Sequence, residues 1–294
     1  MKIALTGATG FIGKPLAARL REQGHTLNLL GRRAAQPDGF AWDALAAAPP
    51  TAAFEGADAV IHLLGEPIAQ RWTPATWQRI VASRVDGTRR LVETLAVLDR
   101  RPSVLICASA TGIYGNRADE VLTETSTPGS DAVARLCQDW EHAACQAESL
   151  GMRVVLLRTG LVLGRDGGAL ARMLPAFRLG LGGPLGNGRQ WTSWIHLDDW
   201  VRLVEFALDQ PALSGPLNAV APEPVTQRDF SRLLGAQLHR PALLPVPAFA
   251  LRLLFGEMAG MLTASQRVLP ETAQRHGFHF THPTLAAALA ELFP

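Results

Sequence analysis

Residues 2–13 read KIALTGATGFIG, and the fold is decided there. Ile3, Ala4 and Leu5 form a short apolar run of the kind that makes a buried strand. Thr6 through Gly13 follow at once, and a helical pattern runs on to about residue 23. The glycines are spaced G-x-x-G-x-x-G, and each has a physical purpose. Gly7 allows the tight turn off the strand, Gly10 lets backbone approach a diphosphate, and Gly13 lets the helix pack on the sheet. A diphosphate would then rest on the free N–H groups and positive dipole end of that helix, with Thr9, Phe11 and Ile12 completing the turn. Strand, glycines and helix in this order point to a dinucleotide site. A P-loop is excluded, because Gly13-Lys14 would need Gly at position 8 and Ser or Thr at 15, where the chain has Ala8 and Pro15.

Outward from this stretch, strand and helix patterns alternate. Residues 25–30 read as a second strand ending in Gly31-Arg32-Arg33. Residues 34–56 are rich in Ala and Pro, and only 40–42 look strand-like. Further strands are expected at 57–64, 103–108 and 153–157, with helices at about 74–99 and 131–149. Strands separated by helices imply an α/β fold with a Rossmann-type, doubly wound parallel sheet. The expected division is a nucleotide-binding domain over 1–165, completed by parts of 190–225, and a substrate-side region over 166–294 with a small, mainly helical C-terminal domain.

Composition narrows the functions. A net charge of +2 over 294 residues implies no large basic surface for nucleic acid or anionic lipid. Cys107, Cys137 and Cys145 are odd in number and lack C-x-x-C spacing, which argues against structural disulfides and zinc. The chain opens on a strand rather than a leader and holds no apolar run of about 18 residues, so a cytoplasmic protein is expected.

The end of the second strand selects the cofactor. An NAD enzyme usually places Asp or Glu there for the ribose hydroxyls, whereas Arg accommodates a 2′-phosphate. Here Arg32 and Arg33 hold the place, and no acidic residue appears before Asp38. Guanidinium groups match phosphate geometry, so NADP(H) is the expected cofactor.

Several motifs then resemble the extended short-chain dehydrogenase/reductases, specifically the atypical, epimerase-like branch typified by YfcH proteins. They are TGATGFIG at 6–13, HLLGEPI at 62–68, RWT at 71–73, SRVDGT at 83–88 and the pair Trp140-Glu141. RTGLVLGRDGGAL at 158–170 and FRLGLGGPLGNGRQWTSWIHLDDW at 177–200 follow, and residues 245–280 resemble that branch's small C-terminal domain. The resemblance implies that Leu63 and Leu64 line the adenine-ribose and diphosphate edge. It puts Arg84 where many members have Asn, and Leu161 and Val162 where backbone touches the nicotinamide end. It also implies hydride transfer on a small carbonyl or sugar-nucleotide-like substrate, and it admits a homodimer.

One departure stands against the likeness. Typical members use Ser or Thr followed by Tyr-x-x-x-Lys, in which Tyr transfers a proton and Lys lowers its pKa and holds the ribose. This chain has one tyrosine, Tyr114, and its lysines are Lys2 and Lys14, so the motif is arithmetically impossible. The slots for Tyr and Lys fall near Val133 and Cys137, where a Cys137 thiolate is one alternative and a small buried helix residue the other. Ser109 or Thr111 occupies the serine slot. Ser109 is the expected partner for a substrate oxygen, with Thr111 and Tyr114 as alternates; Tyr114 can equally be a pocket wall. With the pair missing, a catalytically silent NADP(H)-binding regulator or scaffold is the competing reading.

Other constellations carry less. His276, His279 and His282 recur every three residues, but a strand would turn His279 away from the others, and Gly277 and Pro283 oppose a helix. No metal site is expected from them. His196, in IHLDD, reads as a structural residue that orients other groups. The glycine-rich loop over 179–194 carries Arg189, Gln190, Trp191 and Trp194, which suit a planar or sugar-like ligand or packing on the C-terminal domain.

Overall fold

The structure is a computed structural model, and it describes residues 1–34 and 38–294. Residues 35–37, inside the unassigned Ala/Pro-rich segment, lie outside the described residues. In chain order the elements are β1 Lys2–Thr6, α1 Gly13–Glu22, β2 Thr26–Gly31, β3 Gly39–Ala41, β4 Ala59–His62, α2 Pro74–Ala96, β5 Val104–Ala110 and β6 Val121–Leu122. Then follow α3 Ala132–Cys145, β7 Arg153–Thr159, β8 Leu161–Leu163, α4 Gly168–Arg178, β9 Trp191–Thr192, β10 Trp194–His196, α5 Leu197–Asp209 and β11 Gly215–Ala219. The C-terminal part holds β12 Val225–Thr226, α6 Gln227–Gln237, α7 Ala248–Phe255, α8 Met258–Thr263, β13 Arg267–Val268, α9 Glu271–Arg275 and α10 Leu285–Leu292.

Seven strands form one sheet in the order β11-β7-β5-β4-β1-β2-β3, with every neighbouring pair parallel. Alternation along each strand sends residues to opposite faces. Ile3, Leu5, Ile61 and Ile106 meet Leu16 and Leu20 of α1 and Trp200, Leu203 and Val204 of α5. Ala4, Val60 and Leu105 face Leu91 and Leu95 of α2 and Trp140 and Ala144 of α3. Strands buried on both faces must be apolar throughout, which is why β4 is a run of buried residues.

A third core lies beyond the sheet, where Leu170, Leu174 and Phe177 of α4, Phe230 and Leu234 of α6, and Leu285 and Leu289 of α10 close around Trp194. The chain therefore leaves the sheet after β7 and returns to it at β11 from this second layer. Several helix starts are capped: Thr73 accepts from the Thr76 amide, Asp131 from Ala134, Thr226 from Asp229 and Thr284 from Ala287. Helix α1 has no side-chain cap and no acidic residue in its first turn. Among the described residues no helix is long and apolar enough to cross a membrane.

The expected elements shift at their ends. The strand expected over 57–64 is confined to β4, because Leu63 and Leu64 turn their amides onto the Thr6 hydroxyl. The helix expected over 131–149 ends at Cys145 and continues as a 3-10 turn to Leu150, closed by Gly151 at φ 81°.

Candidate nucleotide-binding site

The turn after β1 is built as the glycine spacing requires. Gly7 has φ 75°, a left-handed conformation that glycine adopts without penalty. A Cβ on Gly13 would come 2.2 Å from the Gly7 carbonyl oxygen, so only glycine allows α1 to start so close to the strand. A Cβ on Gly10 would come 3.3 Å from that oxygen and meet nothing else within 4 Å, which leaves its outer face open to a ligand. Thr9 and Gly10 are exposed, and Ile12 is half-buried at the uncapped start of α1. The Phe11 ring packs away from this opening, where Gly164, Gly167 and Gly168 let the backbone ahead of α4 lie against it; their Cβ atoms would fall 2.8, 2.3 and 2.8 Å from the ring.

The turn is fastened to β4 by a buried chain of polar groups. The Thr6 hydroxyl accepts from the amides of Leu63 (3.1 Å) and Leu64 (3.2 Å), so both lone pairs are used and its proton goes to His62 Nδ1 at 2.8 Å. His62 Nε2 then carries the ring proton and donates to Thr88 Oγ1 at 3.1 Å, which also accepts from Trp140 Nε1 at 3.0 Å. Burial pushes the His62 pKa down from 6.5 to about 3, so the ring is neutral. Gly7 backs onto this junction, since its Cβ would lie 3.0 Å from the Leu63 carbonyl group.

Arg32 and Arg33, just past the end of β2, are exposed. Arg84 projects from α2 toward the carboxyl end of β4, where Nη1 donates to the carbonyls of Glu66 (3.0 Å) and Ile80 (3.3 Å). Its guanidinium carbon stands 5.2 Å from the centre of the Trp140 ring.

The three hydroxyls expected to meet the substrate point inward. Ser109 Oγ donates to Glu141 Oε1 at 2.6 Å, and Thr111 Oγ1 donates to Gln266 Oε1 at 3.0 Å. Tyr114, completely buried, donates to Asn218 Oδ1 at 2.7 Å. Arg158 closes the cluster with Nε and Nη2 on the Glu141 carboxylate (2.9 and 2.8 Å) and Nη1 on the Tyr114 oxygen (3.1 Å). Burial works against the Arg158 charge, but the Glu141 hydrogen bonds and charge outweigh it and hold its pKa above the ordinary value. Burial raises the Tyr114 pKa as well. In Ser109, Thr111 and Tyr114 the hydroxyl proton is thus committed to a protein acceptor. Glu141 and Asn218 lack an assigned role in the sequence reading. The signal for Glu141 was a lone acid on the apolar face of α3, among Cys137, Trp140 and Ala144.

Cys137 does lie beside the loop after β5, since a Cβ on Gly112 would be 2.7 Å from Val133 Cγ1 and 3.7 Å from its sulfur. Burial pushes its thiol up to about 12, so the thiolate alternative falls away. Leu161 and Val162 pair with Trp194 and Ile195 in a two-stranded parallel ladder, and the Leu161 amide is taken by the Ser193 carbonyl at 2.8 Å. That edge of their backbone is closed to a ligand.

The substrate-side residues divide. Trp194 is fully buried and donates to the Glu223 carbonyl, and Gln190 is buried with its amide on the Leu185 carbonyl (2.9 Å), so both are structural. Arg189 is exposed. Trp191 is half-buried, bonded to Asp119 and covered by Arg267 at 4.4 Å from its ring centre.

His276, His279 and His282 do not converge: His276 bonds the Thr272 carbonyl and His279 is exposed. His282 instead stacks on His196, ring centres 4.0 Å apart, with Glu291 on its Nε2. His196 Nδ1 accepts the Asp198 amide at 3.2 Å, so its buried Nε2 carries a proton and presents a donor rather than a metal-binding lone pair.

A family model for the NAD-dependent epimerase/dehydratase family matches residues 3–219. The chain belongs to that family. A second model, a domain of unknown function (DUF1731), matches residues 246–292. Among relatives of this epimerase/dehydratase member, epimerase family protein Mb2239 of Mycobacterium bovis is 43% identical, covering 98% of this chain and 96% of its own length. The crystal structure of human epimerase family protein SDR39U1 (isoform 2) with NADPH superposes with a TM-score of 0.91 at 33% identity, over 99% of both chains. A nucleoside-diphosphate sugar epimerase from Corynebacterium glutamicum gives 0.82 at 35% identity, over all of this chain and 58% of that one.

Proposed function

We propose that this epimerase/dehydratase family member is an NADP(H)-binding oxidoreductase or epimerase-like protein that acts on a small carbonyl or sugar-nucleotide-like substrate by hydride transfer. The observation that carries the reading is the uncapped N-terminus of α1 behind Gly7, Gly10 and Gly13, with Arg32 and Arg33 exposed at the end of the adjoining strand. The NADPH bound by human SDR39U1 and the sugar-nucleotide chemistry named for the Corynebacterium protein support it. The narrower likeness to the YfcH-type branch and a cytoplasmic setting, suited to three free thiols, belong to the same reading.

In this reading the α1 amides hold the diphosphate, Arg32 and Arg33 hold the 2′-phosphate, and Leu63 and Leu64 line the adenosine side. The nicotinamide, when bound, supplies or takes the hydride. Ser109 meets the substrate oxygen once its proton turns from Glu141 toward the ligand, with Thr111 and Tyr114 behind it and water as the final proton source. Arg189 and Trp191 are the substrate contacts that reach the surface.

Fluorescence titration tests the cofactor. NADPH is expected to bind at least about tenfold more tightly than NADH, because one charge-assisted phosphate contact contributes roughly 1.5–3 kcal/mol. Arg32→Ala should erase that preference, and Gly10→Val should abolish binding in a protein that still folds. Equal affinities for the two nucleotides would overturn the NADP(H) assignment. A second reading, a catalytically silent NADP(H)-binding regulator, is favoured by the inward hydroxyls of Ser109, Thr111 and Tyr114. Tight NADPH binding with no hydride transfer over a broad panel of carbonyls and sugar nucleotides would decide for it.

A further inference from the structure

Apolar side chains gather on one outer face of the C-terminal part. Leu179 and Leu181 follow α4, Leu243 lies ahead of α7, and Phe249, Leu253 and Leu254 lie on α7. Leu179, Leu243, Phe249 and Leu253 are each between 73% and 80% exposed, so they protrude rather than line a pocket. The two segments are packed side by side. The Val246 amide donates to the Pro184 carbonyl and the Gly186 amide to the Val246 carbonyl, both at 2.8 Å. A Cβ on Gly183 would meet the Leu244 carbonyl oxygen at 2.1 Å. Helix α7 reads AFALRLLF, and of its residues only Leu251 is buried. A helix apolar on nearly every side calls for cover, and soluble monomers rarely expose so continuous an apolar patch.

Charge says what covers it. Residues 167–190 and 230–256 contain no Asp or Glu, although the chain has 26. Arg178 and Arg252 stand exposed beside the leucines. Arg240 reaches the Arg178 carbonyl and Arg71, from the loop after β4, reaches the Leu253 carbonyl, each at 3.0 Å. Among the described residues no carboxylate pairs with any of these four. The near-balanced total of +2 thus hides a face of one sign. A second copy fits this face poorly, because a two-fold contact would set arginine against arginine. An anionic bilayer fits both features. Leucine and phenylalanine enter the boundary between headgroups and acyl chains, while arginines meet the phosphates.

We propose that this face docks the protein reversibly on an anionic lipid surface, with α7 lying in the headgroup boundary. Through Arg71, α7 is tied to the loop that leaves Leu63 and Leu64 at the nucleotide-binding turn. Docking of this kind does not depend on the cofactor.

Sedimentation with vesicles tests it. Wild type, Phe249→Ser/Leu253→Ser, Arg178→Gln/Arg252→Gln and Val97→Ser are spun with vesicles of phosphatidylcholine, alone or mixed equally with phosphatidylglycerol. Thermal melts verify folding. Val97, exposed at the end of α2, is the control away from this face. Wild type and Val97→Ser are expected to bind the mixed vesicles at least about tenfold more strongly than phosphatidylcholine alone. Each double variant should lose at least about tenfold, because apolar burial and charge act together. Wild type that stays in solution with both vesicles overturns the inference. Equal binding to the two vesicles overturns it, since charge then plays no part. Binding that survives Phe249→Ser/Leu253→Ser in folded protein also overturns it, since the apolar face is then not inserted. In sedimentation velocity, a wild-type dimer that Phe249→Ser/Leu253→Ser dissociates would give the face to a second copy and overturn the inference as well.

Discussion

Two arginines stand at the carboxyl edge of one sheet and are treated in opposite ways. At the ends of β5 and β7, Arg158 is enclosed with Glu141, Ser109 and Tyr114, and each of these side chains finds hydrogen-bond partners inside the protein. At the end of β4, Arg84 is fixed through one nitrogen and left open on the rest. Saturation makes the first region rigid, because a buried network with its hydrogen bonds made must break one of them to meet a ligand. Incompleteness makes the second a binding candidate.

The largest expected effect tests the β4 side. His62 is held neutral down to about pH 3, whereas in the unfolded chain it protonates near 6.5. A depressed histidine pKa means its contribution to stability is present above pH 6.5 and lost as pH falls toward 3. Over that window the loss approaches about 5 kcal/mol as an upper bound, at roughly 1.4 kcal/mol per unit. Urea unfolding as a function of pH should show the slope, and His62→Gln, which keeps hydrogen-bonding capacity, should flatten it by up to one proton. An unchanged slope would place the acid-sensitive group elsewhere.

On the β5–β7 side, Glu141→Leu leaves Arg158 buried without its counter-charge and should destabilise the protein by about 3–5 kcal/mol in urea unfolding. Arg84→Ala should cost far less stability, since no internal pair is broken. Similar losses at the two positions would erase the distinction between them. Ser109→Ala removes a single charge-assisted hydrogen bond and should cost about 1.5–3 kcal/mol with little change in NADPH affinity. Any hydride-transfer activity should fall with it, and activity untouched by replacing Ser109, Thr111 and Tyr114 together would remove all three from the reaction.

Legibility tracked sequence separation. The glycine turn and the doubly wound parallel sheet were readable because their logic spans a few neighbouring residues: a turn needs φ above zero, a helix start needs room, and a doubly wound sheet follows from alternation. The hydrogen bonds of the three hydroxyls were not legible, because their partners come from afar. Ser109 finds Glu141 on the next helix, Tyr114 finds Asn218 across 104 positions and Thr111 finds Gln266 across 155. Trp194 looked like a ligand platform beside glycines, but α4, α6 and α10 close over it.

The sequence by itself determined the Rossmann-type sheet, the dinucleotide turn and the absence of a Tyr-x-x-x-Lys pair, because backbone conformation and residue counting are local or arithmetical matters. Only the tertiary structure decided which polar groups are spent and which remain open. A side chain's hydrogen-bonding capacity is consumed by whatever the fold packs against it, and the sequence order of Arg84 and Arg158 gives no hint that one finds a carboxylate and the other does not.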